Sequence, residues 1–262
     1  MNCMPWWLVA IGGLVAWLVA KALSDDLYRQ IADVVSEGIG VTVLVSLVAF
    51  AAATLLGLVV ALGLMSTNLI ARQVARFYCE VIRGVPVLVL LFYVAFVAAP
   101  LIVQGVDALL ARLHPGDGAP AFEARDFSLM WRAILALTVS YSAFIAEVFR
   151  AGFQSVSRGQ LEAARSLGMT PGQVFRHVTF PLGLRTILPP LGNDFVSMVK
   201  DSALVSVLGV GDITQMAKVY ASGSFTFFET YNVVALVYLV MTLALSLALR
   251  GLERRLRAHE RR

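Results

Sequence analysis

Three charged residues in an otherwise apolar stretch are the first candidates for chemistry in this 262-residue sequence. Asp194, Lys200 and Asp201 fall within residues 186–211, a stretch long enough to cross a bilayer. On a helix, Asp194 and Asp201 share one face and Ser197 lies between them. A charge at mid-depth costs about 2.5 to 3.5 kcal/mol, so such residues face a cavity or pair internally. The pattern predicts either a polar path through the membrane or structural salt bridges.

The residues just before these charges bear on the same question. Pro189, Pro190 and Gly192 predict a break in the helix, which would free backbone groups toward a cavity.

Other candidates for chemistry are sparse. Cys3 and Cys79 form no CxxC motif, and the three histidines, His114, His177 and His259, are far apart in predicted loops. There is no GxxxxGK[ST] phosphate loop. The sequence therefore predicts no catalytic residue, no metal site and no cofactor, and we expect the chain to do no covalent chemistry.

The composition indicates the class of protein whose helices must position the three charges. Hydrophobic residues make up 59% of the chain, charged residues only 15%, and the mean hydropathy is +0.79. Soluble domains are about half apolar and a quarter charged, so these values predict an all-α polytopic membrane protein. The length suits five or six spans without a separate soluble domain. The basic residues are spread over loop ends, which argues against a nucleic-acid partner.

Five stretches are long and apolar enough to be spans, and a sixth is marginal. The five stretches are Ile39–Met65, Val85–Val106, Ser128–Phe149, Thr186–Gly211 and Tyr231–Leu249. The marginal one is Pro5–Leu23, with tryptophans near its ends. A cleaved signal peptide is the weaker interpretation of Pro5–Leu23, because it lacks a basic beginning.

Lys and Arg in the loops predict the orientation. The loops at 66–84, 150–185 and 250–262 hold 14 of these residues, and the loops at 21–38, 107–127 and 212–230 hold 5. The positive-inside rule places the first set in the cytoplasm. With six spans, both termini are then cytoplasmic, and so is the long loop at 150–185.

That loop carries two helix signals in succession. Ser157 with Gln160, and Thr170 with Gln173, match capping boxes. We expect the first helix to end at Gly168 and the second at Pro181. The loop is predicted to be a compact pair of helices outside the membrane.

Two functions suit such a pair. Ala163 and Ala164 would let another surface approach closely, and Leu161, Leu167 and Phe175 would be apolar anchors, as in a docking element for a soluble partner. Alternatively, the pair lies on the lipid headgroups. The physical arguments alone leave both open.

The loop resembles a known motif. Glu162-Ala163-Ala164, then Gly168, then Val178-Thr179-Phe180-Pro181 is similar to the EAA loop of ABC-importer permeases, with Val178 and Phe180 in place of Ile and Leu. The stretches 78–93, 142–156 and 193–214 resemble the polar amino acid branch of that family. The resemblance covers about residues 39–250 and favours docking.

The resemblance implies the type I ABC-importer transmembrane domain, with a five-span core plus one N-terminal span. In that family the loop is a coupling helix seated in a cleft of an ATP-binding subunit. Carried over, the ATPase-coupling residues are Glu162, Ala163, Ala164, Gly168 and Pro181. The implied regions are 1–38, an extra span and extracytoplasmic loop, 39–250, the permease domain with its coupling loop at 150–185, and 251–262, a basic cytoplasmic tail.

The resemblance also implies a function and partners. The chain would be the membrane-spanning subunit of an ATP-driven importer for polar amino acids in the bacterial inner membrane, working by alternating access. Its partners would be two copies of an ATPase subunit, an extracytoplasmic solute-binding protein, a second permease and membrane lipid. A zwitterionic cargo would place its ammonium on Asp201 and its carboxylate on Lys200 or Ser202, near Asp194 and Ser197.

Two rival functions stay open at this point. In an ion-coupled secondary transporter, Asp194 and Asp201 would carry protons or sodium. A structural or assembly subunit would have no cargo path.

Overall fold

The computed structural model describes residues 6–113 and 127–258, which are almost entirely helical and contain no strand. Its elements are α1 (Trp6–Ser24), α2 (Asp26–Glu37), α3 (Ile39–Leu64), α4 (Leu69–Gly84), α5 (Val87–Tyr93), a π-turn (Val94–Ala98), α6 (Ala99–Leu113), α7 (Leu129–Gln154), α8 (Arg158–Ser166), α9 (Pro171–Val174), a second π-turn (Phe175–Thr179), α10 (Phe180–Asp201), a 3₁₀ turn (Ser202–Leu208), α11 (Ile213–Ser224) and α12 (Phe227–Ala258). His114 and His259 lie outside the described residues, as do Cys3, residues 114–126 of the loop predicted at 107–127 and residues 259–262 of the tail.

Four helical segments of the described residues are long and apolar enough to cross a membrane. They are Asp26–Leu64, Val87–Leu110, Leu129–Gln154 and Phe227–Gly251. The predicted N-terminal span falls on α1, an apolar helix of 19 residues that is not among these four segments. The predicted span at 186–211 is not among the four, and its α-helix ends at Asp201 because the chain tightens there into the 3₁₀ turn.

Three helices occupy segments that we expected to be loops. Helices α2, α4 and α11 each begin at a side-chain cap, from Asp25, Asn68 and Asp212 respectively. Each of these side chains accepts a hydrogen bond from a backbone N–H in the first turn of its helix, which satisfies an otherwise unpaired donor. The loop prediction failed because we assigned helices only to long apolar stretches, and these three helices are too polar or too short to meet that criterion.

The core is built on the packing of α3 against α7. Buried small residues, Ala49, Ala53 and Ala61, lie along one side of α3. They allow the two backbones to approach closely, as is common between helices in a membrane. The buried face of α7 includes Leu137 and Ile145 from the same cluster.

A smaller cluster joins α2, α11 and α12. Ile31 and Val35 of α2 are fully buried there with Ile213 of α11. The hydroxyl of Thr42 accepts the backbone N–H of Ile213 at 3.3 Å. This contact ties the beginning of α3 to the beginning of α11.

The prolines do not interrupt the helix as we predicted. Pro181 does not end the second loop helix, because the π-turn at Phe175–Thr179 leads directly into α10. Pro189 and Pro190 lie inside α10, which continues past Gly192 to Asp201. Proline's fixed φ is already helical, so its cost is a missing N–H and a local bend, and packing against α7 and α12 offsets that cost.

The result is an uninterrupted helical path from Pro171 to Asp201. It links the pair of short helices after α7 directly to the charged residues at the other end of α10.

Candidate functional site

The first part of the candidate site is the hairpin of residues 157–180, formed by α8, α9 and the second π-turn. Both predicted capping boxes are present. The Ser157 hydroxyl accepts the N–H of Gln160, and the Thr170 N–H donates to Oε1 of Gln173 at 2.8 Å. Because both helix starts are satisfied from within, the hairpin has a defined shape without a partner.

Gly168 makes the turn between the two helices. Its φ is +78°, in the left-handed region that L side chains rarely adopt, and its N–H donates to the carbonyl of Arg165. The predicted end of the first helix at Gly168 is confirmed. The neighbouring Leu167 is left 79% exposed at the tip of the hairpin.

The hairpin divides the predicted contact residues between an outer and an inner face. Glu162 and Ala163 are exposed, whereas Ala164 is buried. Ala164, also expected to face a partner, is buried within the chain, and its role in coupling stays a prediction. Val174 is buried in the same layer. Glu162, Ala163 and Leu167 form the outer face.

The base of the hairpin is an aromatic cluster. Phe153 of α7 packs edge-on against Phe175 at 5.5 Å between ring centroids, and Phe180 lies 6.4 Å from Phe153. Phe175, expected to be an anchor for a partner, contacts Phe153 and Phe180 within the chain but is still 37% exposed, so its role as an anchor stays a prediction. Pro181, half-buried, follows this cluster in the first turn of α10.

Two glycines beside that cluster were missed by the sequence analysis. Gly152 of α7 and Gly183 of α10 are both buried, and a Cβ on Gly183 would lie 3.1 Å from the carbonyl oxygen of Gly152. A Cβ on Gly152 would collide with Ile187. The available signal was a glycine on each side of the loop, five residues before Ser157 and ten residues after Gln173.

The second part of the candidate site is the charged end of α10. The Tyr141 hydroxyl donates to Oδ2 of Asp201 at 2.7 Å. Tyr141 lies midway along the 26-residue helix α7, which itself is long enough to span the bilayer, so the Asp201 carboxyl lies near mid-depth. Tyr141 is a second residue that spacing along one helix could not find.

Asp194 lies two turns earlier on the same helix. Its Oδ2 is buried and has no hydrogen-bond partner among residues 6–113 and 127–258. A buried carboxyl oxygen without a donor is costly, which makes Asp194 a candidate for contact with a further group.

The remaining predicted cargo residues differ in availability. Lys200 is exposed and Ser197 is half-buried. Ser202 is buried, and its hydroxyl donates to the carbonyl of Val199 at 2.7 Å, so its proton is already committed. Of the two side chains proposed to bind a cargo carboxylate, Lys200 and Ser202, Lys200 is the exposed one.

Two neighbours of the charged residues pack against the core. Met198 is fully buried, and Phe195 packs against Phe50 of α3 at 4.7 Å between centroids. Near the end of α7, Glu147 and Arg150 form an i,i+3 ion pair at 2.7 Å.

Comparison with known proteins gives this architecture its family. Residues 53–258 match the family described as the binding-protein-dependent transport system inner membrane component. The chain belongs to this family.

Relatives of the permease have closely similar lengths. It is 37% identical over 220 residues to the probable glutamine ABC transporter permease protein GlnM of Bacillus subtilis, covering 84% of this chain and 92% of the relative. It is 33% identical over 221 residues to the glutamine transport system permease protein GlnP of Escherichia coli K12, covering 84% and 92%.

Solved structures agree with the fold. An amino acid ABC transporter, solved with histidines, superposes with a TM-score of 0.71 at 36% identity, covering 87% of this chain and 96% of that chain. The methionine ABC transporter MetNI superposes with a TM-score of 0.66 at 20% identity, covering 85% and 95%, which supports the fold alone.

Several predictions are settled by this membership. The permease has the fold of an ABC-importer transmembrane domain and is a multi-pass protein of the bacterial inner membrane. It is the membrane-spanning subunit of an ATP-driven importer, and a separate ATPase subunit hydrolyses ATP. A solute-binding protein is a further partner. The ion-coupled alternative receives no support from the family or the relatives.

Proposed function

We propose that the permease imports polar amino acids and that Asp201 is the centre of its cargo site. The observation that carries this proposal is the hydrogen bond to the Asp201 carboxyl from Tyr141, in the middle of α7, with no cation of residues 6–113 and 127–258 paired to that carboxyl. Relatives named for glutamine transport, and one named for histidine, lysine, arginine and ornithine, support the class of cargo.

The chemistry of the surrounding groups suits a zwitterion. Asp201 is the partner for the cargo ammonium, and Asp194, on the same face, supplies a second carboxyl that is half-buried. Lys200 is the exposed cation for the cargo carboxylate. Ser197 and Ser202 line the same stretch, with Ser202 acting through its remaining acceptor capacity. We propose that these groups face a cavity that cargo fills, because charged groups within a span otherwise have to pair with one another.

Uptake by the complete importer in proteoliposomes tests the cargo site. Asp201→Asn removes the charge that binds the ammonium, so we expect the concentration for half-maximal uptake to rise at least about tenfold, since hydrogen bonds to charged groups contribute roughly 1.5–3 kcal/mol. Asp33→Asn, on the exposed face of α2, is the matched control. Lys200→Gln is compared with Lys218→Gln on α11. Unchanged affinity in Asp201→Asn would remove the site while leaving the importer class intact.

We propose further that the hairpin at 157–180 docks into the ATPase subunit. Glu162, Ala163 and the tip at Gly168 form the contact surface, while Ala164 and Pro181 hold the hairpin in shape from its inner side. The exposed Leu167 supports this proposal, because an apolar side chain at the tip of a polar hairpin gains free energy when a partner covers it.

Cysteine crosslinking tests the docking. With Cys3 and Cys79 replaced, Ala163→Cys is expected to crosslink to the ATPase subunit when ATP is bound. Ser222→Cys on α11 is the control, because α11 is predicted to face the opposite side of the membrane. Crosslinking of Ala163→Cys only to lipid, or its labelling from outside intact cells, would contradict the docking.

The assembly and orientation follow from the same scheme. We propose a pair of permeases, identical or paralogous, with two ATPase copies, so that each hairpin has its own cleft. Both termini are cytoplasmic, residues 39–250 form the permease domain, residues 1–38 add a span and an extracytoplasmic loop, and residues 251–262 are a cytoplasmic tail. The mass of the intact complex checks the copy number, and cysteine labelling at each terminus in intact and opened cells checks the orientation.

A further inference from the structure

A cavity of about 690 Å³ lies beside the end of α7 that leads into the hairpin. It is enclosed by the turn after α3, by α4 and by the last turns of α7. Its lining includes three arginines, Arg72, Arg76 and Arg150, and two glutamates, Glu80 and Glu147. No cargo or coupling role has been assigned to these residues.

The charges of this cavity are unbalanced. Arg150 is neutralised by Glu147 at 2.7 Å. Arg72 and Arg76 are one helical turn apart on α4, and neither guanidinium group makes a hydrogen bond or ion pair with any residue in 6–113 or 127–258. Glu80 is the remaining acidic group. The lining therefore carries one net positive charge, and two guanidinium groups are free to bind an anion side by side.

The cavity opens at the boundary between the apolar helix α3 and the more polar helix α4. Met65, which ends the apolar helix α3, lines the cavity, and the nearby Leu62 and Leu69 are 47% and 59% exposed. Exposed apolar side chains beside free guanidinium groups match the two parts of a phospholipid, the acyl chains and the phosphate.

We propose that this cavity binds the phosphate of an anionic phospholipid headgroup, with Arg72 and Arg76 as its ligands. A phosphodiester carries one negative charge, which balances the net charge of the lining. Phosphatidylglycerol has that charge, whereas the zwitterionic phosphatidylcholine does not. Since Gln154 also lines the cavity and α8 begins four residues later, the bound headgroup lies against the root of the hairpin.

Native mass spectrometry of the purified permease with its ATPase subunit tests this proposal. The probes are phosphatidylglycerol, phosphatidylcholine and the soluble headgroup analogue sn-glycerol 3-phosphate. We expect phosphatidylglycerol to bind at least about fivefold more tightly than phosphatidylcholine, because each arginine near a membrane surface contributes about 1 kcal/mol toward an anionic lipid. Equal binding of the two lipids would overturn the proposal.

Variants localise the binding to this cavity. Arg76→Gln is expected to lose about fivefold in affinity for phosphatidylglycerol, Arg76→Lys to keep most of it, and Arg83→Gln, on the same helix outside the cavity, to leave it unchanged. Glu80→Gln is expected to bind more tightly, a gain that misfolding cannot produce. Unchanged affinity in both Arg72→Gln and Arg76→Gln would overturn the site. If sn-glycerol 3-phosphate binds as tightly as the lipid, a soluble phosphate ester is the ligand and the lipid assignment is overturned.

Discussion

The backbones of Gly152 and Gly183 are in direct contact where α7 crosses α10, and each glycine leaves room that only a hydrogen atom can fill. The two residues stand at the entrance and the exit of the hairpin. The chain segments that lead into and out of it are therefore held together at one point, which makes the hairpin a rigid extension of the transmembrane helices.

Substitution at this crossing is expected to destabilise the permease. In Gly183→Ala the new methyl group meets Phe153 and the carbonyl of Gly152, and overpacking of this kind costs about 1–3 kcal/mol. Thermal unfolding in detergent measures the loss. Gly172→Ala, which meets open space on the hairpin, is the control. A variant Gly183→Ala as stable as the parent chain would show that the helices part easily at this point.

Gly168→Val is expected to impair the transmission of the ATPase cycle without unfolding the membrane core. A side chain at φ +78° costs about 1–2 kcal/mol, and that strain falls on the hairpin tip because no other atom lies near the site. ATP hydrolysis and uptake, measured on the same proteoliposomes, should diverge. Gly159→Ala on α8, also in open space, controls for the change in helix propensity. Parallel behaviour of hydrolysis and uptake would contradict this prediction.

Tyr141→Phe is expected to weaken cargo binding without changing the amount of permease in the membrane. The variant removes the hydroxyl that fixes the Asp201 carboxyl at 2.7 Å, and a hydrogen bond to a charged group contributes roughly 1.5–3 kcal/mol. The concentration for half-maximal uptake should rise about tenfold, whereas Tyr93→Phe, on an exposed tyrosine of α5, should match the parent. An effect confined to the maximal rate would argue against a positioning role for Tyr141.

Cys79 is expected to react slowly with maleimide reagents. Its side chain is only 2% exposed, and burial raises the pKa of its thiol, so that less thiolate is present at neutral pH. Alkylation should accelerate as the pH is raised and on unfolding in detergent. Cys3→Ser allows the reaction to be followed at Cys79 alone. Rapid labelling at pH 7 in the folded protein would show that α4 leaves the packed core.

The sequence could predict those parts of the molecule that depend on local chemistry. Both capping boxes, the turn at Gly168 and the Glu147–Arg150 pair follow from residues within four positions of each other, and all are present. The outer face of the hairpin could be found only in part, since the burial of Ala164 depends on how α8 packs against α9.

The features that were missed depend on residues distant along the chain. Tyr141 and Asp201 are 60 residues apart, and their hydrogen bond depends on the crossing of α7 and α10. The same crossing explains why Pro189 and Pro190 are accommodated within α10. The sequence alone shows the cost of each proline, a missing N–H and a local bend, but not the packing between helices that compensates it. Helices α2, α4 and α11 were missed for a different reason, since hydropathy alone does not detect a short amphipathic helix.

The uninterrupted path from Pro171 to Asp201 gives the permease the geometry of a lever. If the Gly152–Gly183 crossing acts as its fulcrum, the arm on the hairpin side is about 18 Å long and the arm reaching Asp201 about 27 Å, at 1.5 Å per residue. A tilt that displaces the hairpin end would then move the Asp201 carboxyl about one and a half times as far, in the opposite direction. A modest displacement of the hairpin would thereby become a larger excursion in the middle of the bilayer.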